Sequence, residues 1–184
     1  MLWWIWALIG AAVLLIGIFI YFYNRFAVLS NRIENSLGQI NVQLKRRADL
    51  IPNLIETVKG FAKHEKAAIQ AVTEARKALV GAKNIVDKVK ADNQLEGALK
   101  SIFAIAEGYP DLKANTNFLE LQRELAATED KVAYARQYYN DSTLAYNNLW
   151  ATFPGSFFAK FYKKEKKDYT QITEAEKKVV KVSF

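Results

Sequence analysis

Apolar residues recur along most of this chain at steps of three and four, except at its beginning, where they run without interruption. From Leu2 to Tyr23 no residue is charged and none is proline. As a helix such a stretch covers roughly 33 Å, enough for a hydrocarbon core of about 30 Å. Trp3, Trp4 and Trp6 gather at one end and Tyr21 and Tyr23 at the other, as aromatic residues do at the two water interfaces of a bilayer. Ala7, Gly10, Ala11 and Gly17 would let a second helix approach closely. A cleavable signal peptide needs a basic start, a shorter apolar core and small residues at its end. This stretch has none of these, so a retained transmembrane anchor is expected.

Beyond the anchor the period becomes that of an amphipathic helix. Phe26, Leu29, Ile33, Leu37, Ile40 and Leu44 draw one stripe, and nothing between Tyr23 and Phe26 breaks a helix, so the anchor is expected to run on without a linker. Asp49 reads as the N-cap of a second helix with Pro52 in its first turn. Leu54, Ile55, Val58, Phe61, Ile69, Val72 and Leu79 continue an apolar face. Gly81, Asn84, Asp92 and Asn93 mark Val80 to Asn93 as a turn region, followed by a shorter helix to about Glu107. Gly108-Tyr109-Pro110 ends it, since proline has no N–H to give and its predecessor avoids helical geometry. Asp111 and Asn115 look like turn and cap residues. Phe118, Leu121, Leu125, Thr128, Val132, Ala135, Tyr139, Ser142, Tyr146 and Leu149 then alternate threes and fours, a coiled-coil-like seam on a helix of about 35 residues. Phe153-Pro154-Gly155 closes it. The fold class expected is all-α, an N-terminal transmembrane helix continuing into an antiparallel helical bundle with long helices.

Charge adds an orientation. The chain of 184 residues carries a net charge of +7, and no charged side chain precedes Arg25. Arg25, Arg32, Lys45, Arg46 and Arg47 follow the span, and such residues stay on the cytoplasmic side, so an N-out, C-in topology in the cytoplasmic membrane is expected. Near the C-terminus Phe157, Phe158, Phe161 and Tyr162 precede Lys163, Lys164, Lys166 and Lys167. Rings suit a membrane interface and ammonium groups suit anionic lipid, so these residues are a candidate lipid surface. The bland alternative is that the rings cap the bundle and the lysines are solvated.

The chemistry of catalysis is missing. There is no cysteine, which excludes thiolate metal sites and a cysteine nucleophile. The one histidine, His64, stands beside Glu65, but Ala68 occupies the position where a zinc helix needs its second histidine. No glycine-rich phosphate loop or Gly-x-Ser-x-Gly elbow occurs. No enzyme activity, cofactor or metal is expected.

Gln43 to Gly60 reads QLKRRADLIPNLIETVKG, and Tyr109 to Asp141 reads YPDLKANTNFLELQRELAATEDKVAYARQYYND. Tyr146-Asn147-Asn148, Thr152-Phe153-Pro154 and the closing Lys181-Val182-Ser183-Phe184 complete a set that closely resembles the LemA family of bacterial membrane proteins. The resemblance implies an N-terminal anchor, a helical bundle and no enzyme activity, and its relatives in the magnetosome membrane imply roles in membrane organisation. Leu37 and Asn41 stand where the family usually has tryptophan and aspartate. The motif residues Lys45, Arg46, Arg47, Asp49, Pro52, Asn53, Tyr109, Pro110, Asn115, Phe118, Tyr139, Asn140, Tyr146, Asn147, Phe153 and Pro154 are read as determinants of fold or assembly. The Lys-Arg-Arg run lies about 30 Å beyond the anchor on a straight helix, too far to touch lipid unless the chain folds back or the molecules assemble.

The expected organisation is an anchor over 1–24, a helical bundle domain over 25–155 and a basic, aromatic tail over 156–184. The function expected is that of a self-assembling scaffold at the cytoplasmic membrane. The alternatives are an adaptor for a protease or envelope complex, or a sensor of anionic lipid. The expected partners are membrane lipid, further copies of the chain, and another membrane or envelope protein. No nucleic acid is expected.

Overall fold

The computed structural model describes residues 3–170. Among them are six helices and no strand: α1 (Trp3–Phe61), α2 (Lys66–Gly81), α3 (Ile85–Ala106), α4 (Pro110–Lys113), α5 (Thr116–Ala151) and α6 (Gly155–Phe161). The all-α expectation holds, and the apolar N-terminal helix does continue past Phe26 without a break.

The expected helix start at Asp49 is not there. α1 runs through Pro52 to Phe61, and the Asp49 carboxylate pairs with Lys45 one turn back at 3.5 Å. Proline inside a helix cannot bond the carbonyl four residues earlier, a cost of about 3 kcal/mol. That carbonyl belongs to Ala48, and it accepts a hydrogen bond of 2.7 Å from Arg76 Nε on α2. Pro52 itself is exposed, while Ile51 and Leu54 beside it are buried, so the apolar face passes through uninterrupted.

The expected turn region over Val80 to Asn93 is also corrected. The connection is confined to 82–84, and Asn84 caps α3, its Oδ1 accepting from the Asp87 N–H at 2.8 Å. Asp92 and Asn93 lie inside α3, and Asp92 is buried. Their polarity marks a charged contact in the core and not a turn. Asn115 caps α5 as expected, accepting from the Phe118 N–H at 3.0 Å.

The chain forms two compact units. Residues 37–136 hold the C-terminal part of α1, then α2, α3, α4 and the first part of α5. Short connections between α1 and α2 and between α2 and α3 make neighbouring helices antiparallel. Its core is Ile40, Leu44, Ile51, Leu54, Val72, Leu79, Leu95, Leu99, Ile102, Leu112 and Leu125. The Tyr109 hydroxyl donates to Glu65 Oε1 at 2.9 Å, joining the α3–α4 connection to the one between α1 and α2. The other unit takes residues 3–36 with 137–169. Its core is Phe26, Leu29 and Ile33 of α1 with Tyr139, Tyr146 and Phe158. The rings of Phe26 and Tyr146 meet edge to face at 5.6 Å.

Candidate functional site

Among the described residues, none covers the most apolar part of α1. The most apolar window of the helix is wholly unburied. Val13 is 65% exposed and Ile16 59%, where a core helix would bury both. Trp3 and Trp4 are exposed at one end, Tyr21 and Tyr23 at the other. Among the described residues, a Cβ built on Gly10 or Gly17 would meet no atom within 4 Å, so both glycines lie on open helix surface. Leu2, also expected in the span, lies outside the described residues, as do the closing residues 181–184.

Where the apolar stretch ends, α6 docks on it. Phe158 is buried, stacked on Phe22 at 4.4 Å and edge-on to Phe19 at 5.0 Å. The Tyr162 hydroxyl donates to the Phe19 carbonyl at 2.7 Å. Phe157 and Phe161 stay largely exposed. Of the rings expected to form a lipid surface, Phe158 is therefore buried against α1, Phe161 touches Phe19 while staying largely exposed, and Phe157 is exposed.

The segment after α6 runs back along α5, held by its backbone. Trp150 Nε1 donates to the Lys164 carbonyl at 2.9 Å. Asn147 both donates to the Lys167 carbonyl and accepts from the Lys167 N–H, each at 2.9 Å. The Tyr139 hydroxyl donates to the Asp168 carbonyl at 3.1 Å. The order falls along α5 as it rises along the segment, so the two are antiparallel. Lys163, Lys166 and Lys167 keep their side chains exposed, the last with its ammonium 5.9 Å from the Tyr146 ring centre. Tyr139, Tyr146 and Asn147 thus serve the packing of this unit. Asn140 is half-buried, and Phe153 and Pro154 are exposed at the end of α5.

The Lys-Arg-Arg run divides by burial. Lys45 is exposed. Arg46 makes a half-exposed pair with Glu124 of α5 at 2.6 Å. Arg47 is 1% exposed and binds Asp92 of α3 at 2.8 Å and Glu129 of α5 at 3.1 Å, so one guanidinium joins three helices. Burial pushes the Asp92 carboxyl above its ordinary value of 3.8, and Arg47 pulls it only part of the way back. The folded state therefore holds this proton more tightly than the unfolded chain does. Its contribution to stability is full below about pH 3.8 and is lost as the pH rises through the folded value. Asp92→Asn is expected to remove that contribution. The stability difference between the two proteins, followed by denaturant unfolding, should shift in favour of wild type as the pH falls. A difference independent of pH would show that burial does not govern Asp92.

A cleft of about 320 Å³ between α1, α2 and α3 is lined in part by Asn41, Lys45, Asp49, Arg76 and Lys88. Its cations are already engaged: Lys45 with Asp49, Arg76 with the Ala48 carbonyl, and Lys88 with Asn41 Oδ1 at 2.7 Å. Asn41, one of the two departures from the family pattern, thus supplies an acceptor oxygen where a carboxylate would. Leu37, the other, is half-buried. Asn53 is exposed, its carbonyl accepting from Thr57. His64 is exposed, and no group of three His, Cys, Asp or Glu among the described residues is placed to hold a metal ion.

The pattern of the LemA family matches residues 36–184. Protein LemA of Metamycoplasma hominis is 28% identical over 149 residues, covering 77% of this chain and 67% of the relative. Magnetosome protein MamQ of Magnetospirillum gryphiswaldense is 23% identical over 163 residues, covering 74% of this chain and 60% of the relative. The chain thus spans about two thirds of the length of these relatives. Neither relative carries the name of an enzyme.

Proposed function

The chain belongs to the LemA family, and from that premise we propose that it is a non-enzymatic, single-pass protein of the cytoplasmic membrane that works by self-association, as a scaffold. The N-terminus lies outside and the helical part in the cytoplasm, following the basic residues that begin at Arg25. The observation that carries the reading is the uncovered start of α1. Its apolar side chains face outward and Gly10 and Gly17 leave open surface on the same helix, which continues unbroken into packed structure at Phe26. A bilayer is the solvent that such a surface requires, and glycines within it allow two helices to approach closely. The similarity to a protein named as a magnetosome protein supports a role in membrane organisation.

Full-length protein in a mild detergent is expected to run as a homo-oligomer. The pair Gly10→Ile and Gly17→Ile, which adds bulk where helices would meet, is expected to lower its native mass. A monomer in both proteins would remove the scaffold reading. A monomer that brings another membrane or envelope protein with it would favour an adaptor.

A further inference from the structure

We propose that α6 is an interfacial collar: docked on α1 at the edge of the span, it sets Phe157 and Phe161 into the bilayer surface while Lys160 and Lys163 bind anionic phospholipid headgroups. This rests on the anchor reading above and adds a second, lipid-selective contact to it.

The depth of α6 follows from its partners on α1. Trp3 to Phe22 covers about 29 Å of helix, close to one hydrocarbon thickness of about 30 Å. Phe19 and Phe22 are the residues on which Phe158 lies, and the Tyr162 hydroxyl fixes the Phe19 carbonyl. Whatever solvates the exposed span up to Ile20 therefore also reaches α6.

The outer side of α6 fits that level. Phe157 and Phe161, one turn apart, are 57% and 62% exposed. Phe161 also meets Phe19 edge to face at 5.2 Å, so the exposed ring extends the apolar surface of the span. In water two such rings side by side are costly, whereas at a headgroup boundary they are favoured. Lys160 lies between them in sequence and is exposed, and Lys163 closes the helix, its N–H bonded to the Lys160 carbonyl at 3.1 Å. Exposed ammonium groups on long stems can stay at the phosphate level while the rings go deeper. The bond from Trp150 to the Lys164 carbonyl holds the chain just beyond α6 to α5, so the C-terminal end of the collar is tied to both α1 and α5.

The chain has no cysteine, so single cysteines can carry a spin label at chosen sites in the full-length protein. Labels would be placed at Phe157→Cys, Phe161→Cys, Val13→Cys within the span and Lys131→Cys on an exposed position of α5. The protein would be reconstituted in vesicles of phosphatidylcholine, with and without phosphatidylglycerol. The expected result is oxygen accessibility at 157 and 161, relative to a water-soluble nickel chelate, several-fold above that at 131. It should increase with phosphatidylglycerol, and Lys160→Gln with Lys163→Asn should remove the increase. Asparagine at 163 accepts the positive φ of 51° found there. Aqueous values at 157 and 161 beside an immersed label at 13 would overturn the collar alone, as would immersion indifferent to phosphatidylglycerol. An aqueous label at 13 would overturn the anchor and the collar with it.

Discussion

Replacing Arg47 with alanine is expected to destabilise the protein by about 3–5 kcal/mol, the cost of breaking a buried ion pair from one side. Thermal unfolding followed by circular dichroism should show it as a fall in Tm of roughly 6–20 °C for a chain of this size. The magnitude comes from burial. Arg47 is 1% and Asp92 4% exposed, so water cannot replace the lost guanidinium at Asp92. Glu129 matters less, because at 44% exposed it recovers much of its hydration. Desolvating the pair costs much of what the attraction returns, and a matched apolar pair can do as well. The double variant Arg47→Met with Asp92→Leu is therefore expected to recover most of the loss. If the two single losses simply add in the double variant, the two side chains are not coupled and the reading of this contact is wrong.

Gly155→Ala is expected to cost about 3 kcal/mol, at the upper end of the usual range for overpacking. A Cβ at this position would stand 2.1 Å from the carbonyl oxygen of Leu149 and 3.0 Å from its side chain. Backbone cannot swing aside as a long side chain can, so the end of α5 and the start of α6 must separate. Trp150 lies at this junction and donates to the Lys164 carbonyl, so its fluorescence should change along with the unfolding midpoint. Gly60→Ala supplies the contrast. No described atom lies within 4 Å of its Cβ position in α1, and alanine there should stabilise the helix by about 0.5–1 kcal/mol. Equal effects at the two glycines would mean that close packing at Gly155 is not what matters.

The helices with a clean apolar period were legible in the sequence. The seam from Phe118 to Leu149 faces inward, with Phe118, Leu125, Thr128, Val132, Tyr139, Ser142 and Tyr146 buried. In the stripe from Phe26 to Leu44, Phe26, Leu29, Ile33, Ile40 and Leu44 are buried and Leu37 is half-buried. Pro52 was misleading because the stripe runs past it on the other side of the helix, and the group that rescues the Ala48 carbonyl, Arg76, is distant in sequence. The buried charges left a trace that composition hides. Arg47 continues Ile40 and Leu44 toward Ile51, Leu54 and Val58 at steps of three and four, and Asp92 stands between Val89 and Leu95 in the same way. Opposite charges at core positions of two helices are a pairing signal, which a Lys-Arg-Arg run read as a unit conceals. The aromatic and basic character after Gly155 was legible, but the path of that segment was not. Trp150, Asn147 and Tyr139 hold it by its backbone, and a backbone group has no residue type to announce the contact.

The most direct test of a retained, N-out anchor is the location of a single cysteine, introduced as Lys131→Cys on α5, in cells producing the full-length chain. A membrane-impermeant maleimide is applied to spheroplasts before and after lysis, and the N-terminus of the membrane-bound protein is sequenced. The expected result is a protein in the membrane fraction that retains Trp3 and is labelled only after lysis. A soluble product beginning beyond Tyr23, or labelling at position 131 in intact spheroplasts, would contradict it.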